Sequence, residues 1–413
     1  MRGVLVGLVA CVLGVGAFPS ATGSRTTQAC PGWFGWFDFS PSGRWVAYEN
    51  DVPHGTEPHC TLSAQIEVVQ TNGRHRRILI RSREAYWQWS PRGDLLAVLV
   101  DANGSRARLL IIDPRDGSVR VRAKSVVSGF FWSPTGKWIA LFRDDPNGKN
   151  PHLLTGRLGE PGLYVLARDP WDAAWSPNGK RIAFTRGSSI VLSRPDGSSA
   201  RVLTSGFRPR WSPTGEWISF VRGHSTDTKL DAFAIRPGGS DLRPLGTDTC
   251  RGGLWSPDGG RIEIAHRCYS FVDVDPISEI VDLARGRRWS LGVGAGIWDS
   301  SGKRLAFYRR YRDRDLRIID PDGSHPTVVA TSAEFEGWSP VGRRFLLEGQ
   351  SEIQLARDDG RAIPWHFAAG FDAYWSPNGR EIIYLQRQRV PCGQVLMIKN
   401  VRGGKARPLA RCG

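Results

Sequence analysis

The sequence predicts an all-β fold, a single β-propeller of nine four-stranded blades, and three observations predict it. An aromatic-Ser-Pro-x-Gly phrase recurs along the chain, anchored at Phe39, Trp89, Trp132, Trp175, Trp211, Trp255, Trp298, Trp338 and Trp375. The anchors lie 36 to 50 residues apart and average 42, the period of architectures whose unit is one blade. Each phrase is followed by alternating apolar residues and, further on, by a second turn, which leaves room for four short strands per unit. Propellers usually hold four to eight blades, so eight blades with an incomplete ninth is the alternative count.

The first element is the leader. Residues 1–23 place Arg2 ahead of an apolar run from Val4 to Phe18 and then small residues, the layout of a secretory signal. Residues 24–413 then form one propeller domain, because the repeat fills them without a low-complexity linker. "LVAC" at 8–11 also has the form of a lipoprotein box, so membrane attachment is expected only if Cys11 carries a lipid. No other stretch reaches the roughly 18 apolar residues of a spanning helix.

Within each repeat the anchor aromatic ends the first strand, where a large ring fills the gap between blades. Ser and Pro leave the strand, since Pro has no amide hydrogen for a ladder, and the variable residue and Gly are expected to turn the chain with positive backbone angles. "RIAF" at 181, "WISF" at 217 and "RLAF" at 304 read as second strands. "RLLIID" at 108, "SIVLSR" at 189, "LRIIDP" at 316 and "VLMIKN" at 395 read as third strands. Turns such as "RPDG" at 194 and "DPDG" at 320 lead to fourth strands such as "SARVLT" at 199 and "ARPLA" at 406.

WSPxG followed by x-I-A-F and a strand ending in Asp-Gly resembles the TolB-type, WD-repeat-like propeller family, a type also found in prolyl oligopeptidases. The resemblance covers residues 30–413; Trp298, followed by "DSSG", marks the most divergent blade. It implies a ring fold and a binding role facing the cell envelope.

Six cysteines remain after the leader: Cys30, Cys60, Cys250, Cys268, Cys392 and Cys412. An even number in an exported chain, without CxxC spacing, points to disulfides over zinc. All six map to strand ends on one face of the ring. The expected pairs are Cys250 with Cys268, Cys392 with Cys412 and Cys30 with Cys60; the alternative joins Cys30 to Cys412 and Cys60 to Cys392.

Function must come from residues that break the repeat. The insertion at 49–65 holds Asp51, His54, Glu57 and His59, a candidate metal set that matches no defined spacing. "FRDDPNGKN" at 142 offers Asp144, Asp145 and Asn147 but lacks the spacing of a calcium loop. The run "YRRYRDRDLR" supplies Arg309, Arg310, Arg312, Arg314 and Arg317, the candidate anion-binding cluster. "RHRR" at 74 and "RGRR" at 285 add to a net charge of +16, which favours acidic partners. The bias toward Arg, 48 against 8 Lys, is also what a GC-rich genome imposes without selection for binding.

No G-x-S-x-G, H-E-x-x-H or P-loop occurs, and no nucleic-acid motif. The expectation is therefore an exported, monomeric, non-catalytic propeller without cofactor that binds an envelope protein or anionic polymer and no nucleic acid. The alternative is a metal-dependent enzyme on acidic oligosaccharide, implied by likeness to oligogalacturonate lyases, and it requires histidines converging near the axis.

Overall fold

The computed structural model describes residues 33–54, 61–101, 107–124, 127–143, 151–170, 172–223, 230–249, 253–266, 276–308, 315–331, 333–358, 364–388 and 393–411. Their strands form nine consecutive antiparallel units, each ordered first to fourth strand. We number these blades 1 to 9: 33–82, 85–123, 127–168, 173–205, 207–249, 254–293, 295–330, 334–369 and 371–411. A bridge between Thr249 and His266 joins the sheets of blades 5 and 6. The full ninth blade decides the count in favour of nine.

The ring closes through hydrophobic burial. Among the described residues every junction between consecutive blades holds a cluster of buried apolar side chains; Trp45, Ala47, Ile66 and Val68 of blade 1, for example, meet Trp87, Trp89 and Leu96 of blade 2. The last junction follows the same rule, since Phe34, Phe37, Phe39, Val46 and Tyr48 of blade 1 lie against Ile383, Leu385, Leu396 and Ile398 of blade 9. No blade hides both its faces alone, so this burial, at about 25 cal/mol per Å² of apolar surface, is what makes the nine units one body.

The repeated phrase does more than fill space. The indole N–H of six anchors reaches back to a carbonyl on the first strand of the preceding blade: Trp89 to Asp38, Trp132 to Gln88, Trp211 to Ala174, Trp298 to Leu254, Trp338 to Ile297 and Trp375 to Gly337, at 3.0–3.3 Å. These bonds string the first strands together as the inner wall of the ring. Trp255 departs from this and donates to the Ser219 hydroxyl. Blade 1 carries Phe39, which has no N–H to give, and there the Phe34 N–H donates to Gln394 Oε1 of blade 9 at 3.2 Å.

The serine closes the turn. Ser176 Oγ accepts the Arg181 N–H at 2.9 Å while its backbone N–H donates to the Arg181 carbonyl, and Ser133, Ser212, Ser256 and Ser376 repeat the hydroxyl contact. In divergent blade 7, Asp299 Oδ1 accepts the Arg304 N–H at 3.1 Å, so the carboxylate does the work of the hydroxyl. The expected positive angles fall on the glycine alone: Gly179 has φ 65° and Gly259 φ 71°, whereas neither Asn178 nor Asp258 is among the positive-φ residues. Asn and Asp contribute a side-chain oxygen instead, as Asn178 Oδ1 does for the Lys180 N–H. A Cβ on Gly179 would also stand 2.9 Å from Thr135 Oγ1, because each turn nests on the turn of the preceding blade.

Two faces result. The hairpin turns between first and second and between third and fourth strands form the turn face; the connections between second and third strands, and between blades, form the crossover face. All six cysteines, and with them the expected disulfide pairings, lie outside the described residues, as does the leader with Cys11.

Candidate functional site

Of the predicted basic cluster, Arg309, Arg310, Arg312 and Arg314 lie outside the described residues. Arg317 is described, on the third strand of blade 7, with its guanidinium 3.6 Å from Asp315. The other basic runs are committed within the fold in part. Arg76 holds the buried Glu67 at 2.9 Å alongside the Tyr48 hydroxyl and Asn50, and Arg285 and Arg288 bond Asp282 and Glu279. Of the metal candidates, Glu57, His59 and the His54 side chain lie outside the described residues, as do Asp144, Asp145 and Asn147. Among the described histidines, His266 is 3.5 Å from Glu279, His325 2.8 Å from Asp320 and His366 3.0 Å from Glu352, each in a different blade. No three His, Cys, Asp or Glu of the described residues stand in metal-binding geometry.

The concavity that emerges lies on the turn face between blades 8 and 9. It has a volume of about 880 Å³ and is lined by Arg343, Arg344, Arg357, Arg380 and Arg402 with Ser339, Asn378 and Asn400. Local sequence explains why the cations meet there. Arg343 and Arg380 follow the turn glycines of blades 8 and 9, Arg344 starts a second strand, Arg357 ends a third, and Arg402 lies in the turn after the third strand of blade 9. The nesting of adjacent turns brings these separated positions to one groove.

The charges are unevenly neutralised. Asp358, 3% exposed, is held by Arg304 of blade 7 through Nε and Nη2 at 2.9–3.1 Å, and Arg304 also bonds Asp320. Arg343 Nε is a remote 3.9 Å from the same carboxylate. Arg357 lies over the Trp365 ring, 5.7 Å from its centre. Among the described residues Arg344, Arg380 and Arg402 have no carboxylate partner. Guanidiniums that converge in this way can grip a carboxylate or phosphate in bidentate fashion.

The inner wall has the opposite sign at these blades. Glu336, on the first strand of blade 8, is largely buried beside Glu348, Asp372 and Glu334; desolvation first, then this repulsion, pushes its carboxyl up to about 7. Desolvation and the neighbouring Asp51 likewise push Glu49 up to about 7, opposed by the Trp36 N–H. Burial, with Asp372, Glu336, Asp38 and Glu348 close by, pushes the Tyr374 hydroxyl up, and Tyr374 meets Trp36 edge-on at 5.4 Å. Carboxyls of this kind exchange protons near neutrality, and when ionised they give this part of the wall a negative charge.

No protein-family model matches the sequence, and no curated protein matches it. Solved structures do. A eukaryotic initiation factor structure is similar with a TM-score of 0.60 and 13% identity, over 83% of this chain and 93% of that one. Dipeptidyl peptidase 4 of Porphyromonas gingivalis gives 0.54 and 11% identity, over 80% of this chain and 60% of that one. TolB of Acinetobacter baumannii gives 0.36 and 17% identity, and this chain spans about three fifths, 62%, of its length. At these identities the likeness shows the propeller fold alone.

Proposed function

We propose that this chain is an exported, non-catalytic propeller that binds an anionic ligand or partner of the cell envelope through the turn-face groove between blades 8 and 9. The observation that carries the reading is the convergence of Arg343, Arg344, Arg357, Arg380 and Arg402 on one groove of about 880 Å³, a volume suited to a small ligand or one segment of a polymer. The leader-like residues 1–23 and the six cysteines support export. The net charge of +16 supports attraction of anions from a distance.

The test is retention of the purified protein on phosphocellulose as salt is raised. Electrostatic capture predicts elution that shifts steeply with ionic strength, because the contacts are exposed and screened over about 10 Å at 0.1 M salt. Replacing Arg344 and Arg380 by Gln is expected to lower the eluting salt sharply. Unchanged retention of that variant would remove the groove from the account, and turnover of an acidic oligosaccharide by the wild-type protein would remove the non-catalytic reading.

A further inference from the structure

The groove does not end at blade 9. The residue after the turn glycine is Arg343 in blade 8, Arg380 in blade 9 and Arg44 in blade 1, and all three side chains are exposed. The turns carrying them are neighbours, since a Cβ on Gly43 would stand 3.7 Å from Pro377 of blade 9 across the closed seam. A second row runs beside the first: exposed Arg402 and half-buried Arg407 of blade 9, the latter also close to Glu381, lead to exposed Arg74 of blade 1, with Arg407 Nη1 3.4 Å from the Cβ position of Gly73.

Carboxylates bound this arc at both ends. On the blade 7 side the post-glycine residue is Lys303, set among Asp299, Asp320, Asp322 and, at the junction, Asp358, with Arg304 already committed to Asp320 and Asp358. On the blade 2 side the equivalent post-glycine residue is Asp94, and the second turn holds Asp113 and Asp116, with Arg115 paired to Asp113 at 2.6 Å.

We infer that the ligand of the groove is a linear polyanion, and that its chain runs from the groove over the turns of blade 9 onto Arg44 and Arg74 of blade 1. This inference rests on the groove reading above and adds the ligand's form and direction. A compact anion needs only the groove. A track of guanidiniums along neighbouring turns, flanked by carboxylates at each end, matches repeated charges along a chain, and linking the contacts raises avidity without any new kind of contact.

Calorimetric titration with inorganic tripolyphosphate and with long-chain polyphosphate tests it. The wild-type protein is expected to bind the long chain, per binding site, at least tenfold more tightly than the short one. The double variant Arg44→Glu/Arg74→Glu is expected to lose roughly five- to tenfold for the long chain and to keep its affinity for tripolyphosphate. Lys137→Glu/Lys180→Glu changes net charge equally, at the same turns of blades 3 and 4 outside the arc, and is expected to leave both affinities in place. Equal losses in the two variants would replace the track by net charge and overturn the inference. Tripolyphosphate binding with no gain from chain length would overturn the inference and leave the groove standing. Failure of the wild-type protein to bind either probe would overturn both.

Discussion

Replacing Glu336 with Gln isolates the charge stored on the inner wall. The carboxyl stands among Glu334 of its own strand, Glu348 of the adjacent strand, and Asp372 and Tyr374 of blade 9's first strand, and is pushed from 4.5 to about 7. Between those values the folded chain holds a proton that the unfolded chain has released, so stability falls as pH rises through this window. No penalty is felt below about 4.5, and the whole of it is felt above about 7. The shift is worth about 3 kcal/mol at full weight, and roughly 2 kcal/mol after solvent screening of a group that keeps some exposure. Gln carries no charge at any pH. Glu336→Gln is therefore expected to raise the melting temperature at pH 8 by roughly 2–3 °C for a chain of this size and to leave it unchanged at pH 4.5. Scanning calorimetry of both proteins at half-unit steps between those limits measures the difference. A gain that is the same at both ends, or a loss at pH 8, would refute the repulsion argument.

Two further outcomes follow from the packing. Trp132→Phe removes a buried indole N–H that donates to the Gln88 carbonyl at 3.3 Å, and is expected to cost about 1 kcal/mol in denaturant unfolding. Arg304→Met strands the buried Asp358, leaving among the described residues only Arg343 at 3.9 Å, and is expected to cost about 3 kcal/mol, with the cost reduced when Asp358→Asn is added.

The fold was legible because the phrase spells out a strand end, a turn and a strand start, and nine copies in register define the unit; that the ninth is a complete blade shows only in the folded chain. What the phrase does was only half legible. That Trp fills the space between blades follows from its size, but its N–H partner lies on a different repeat, about 40 residues back, where no local pattern points. Ser176 and its equivalents read as residues leaving the strand, and their hydroxyl bond to the residue five places on appears only once the turn is built. Asp299 shows the same chemistry surviving in the blade that looks most divergent.

The groove escaped the sequence reading for a similar reason. Contiguous charge draws attention to Arg309 through Arg317, whereas Arg343, Arg344, Arg357, Arg380 and Arg402 are spread over three turns and two strand ends and gather only because neighbouring turns nest. The signal was present in "VGRR", "NGRE" and "SGRW", a Gly-Arg pair at the same repeat position in the last two blades and the first. Aligning the nine repeats by the residue after the glycine, with the ring closed, would have found it.

The most direct measurement of the central claim is the affinity of tripolyphosphate for the wild-type protein and for Arg344→Gln/Arg380→Gln, titrated at 50 and at 200 mM salt. The account predicts binding that weakens with salt in the wild-type protein and falls by at least tenfold in the variant at low salt, with melting temperatures matched. Equal affinity in the two proteins, or binding indifferent to salt, would contradict it.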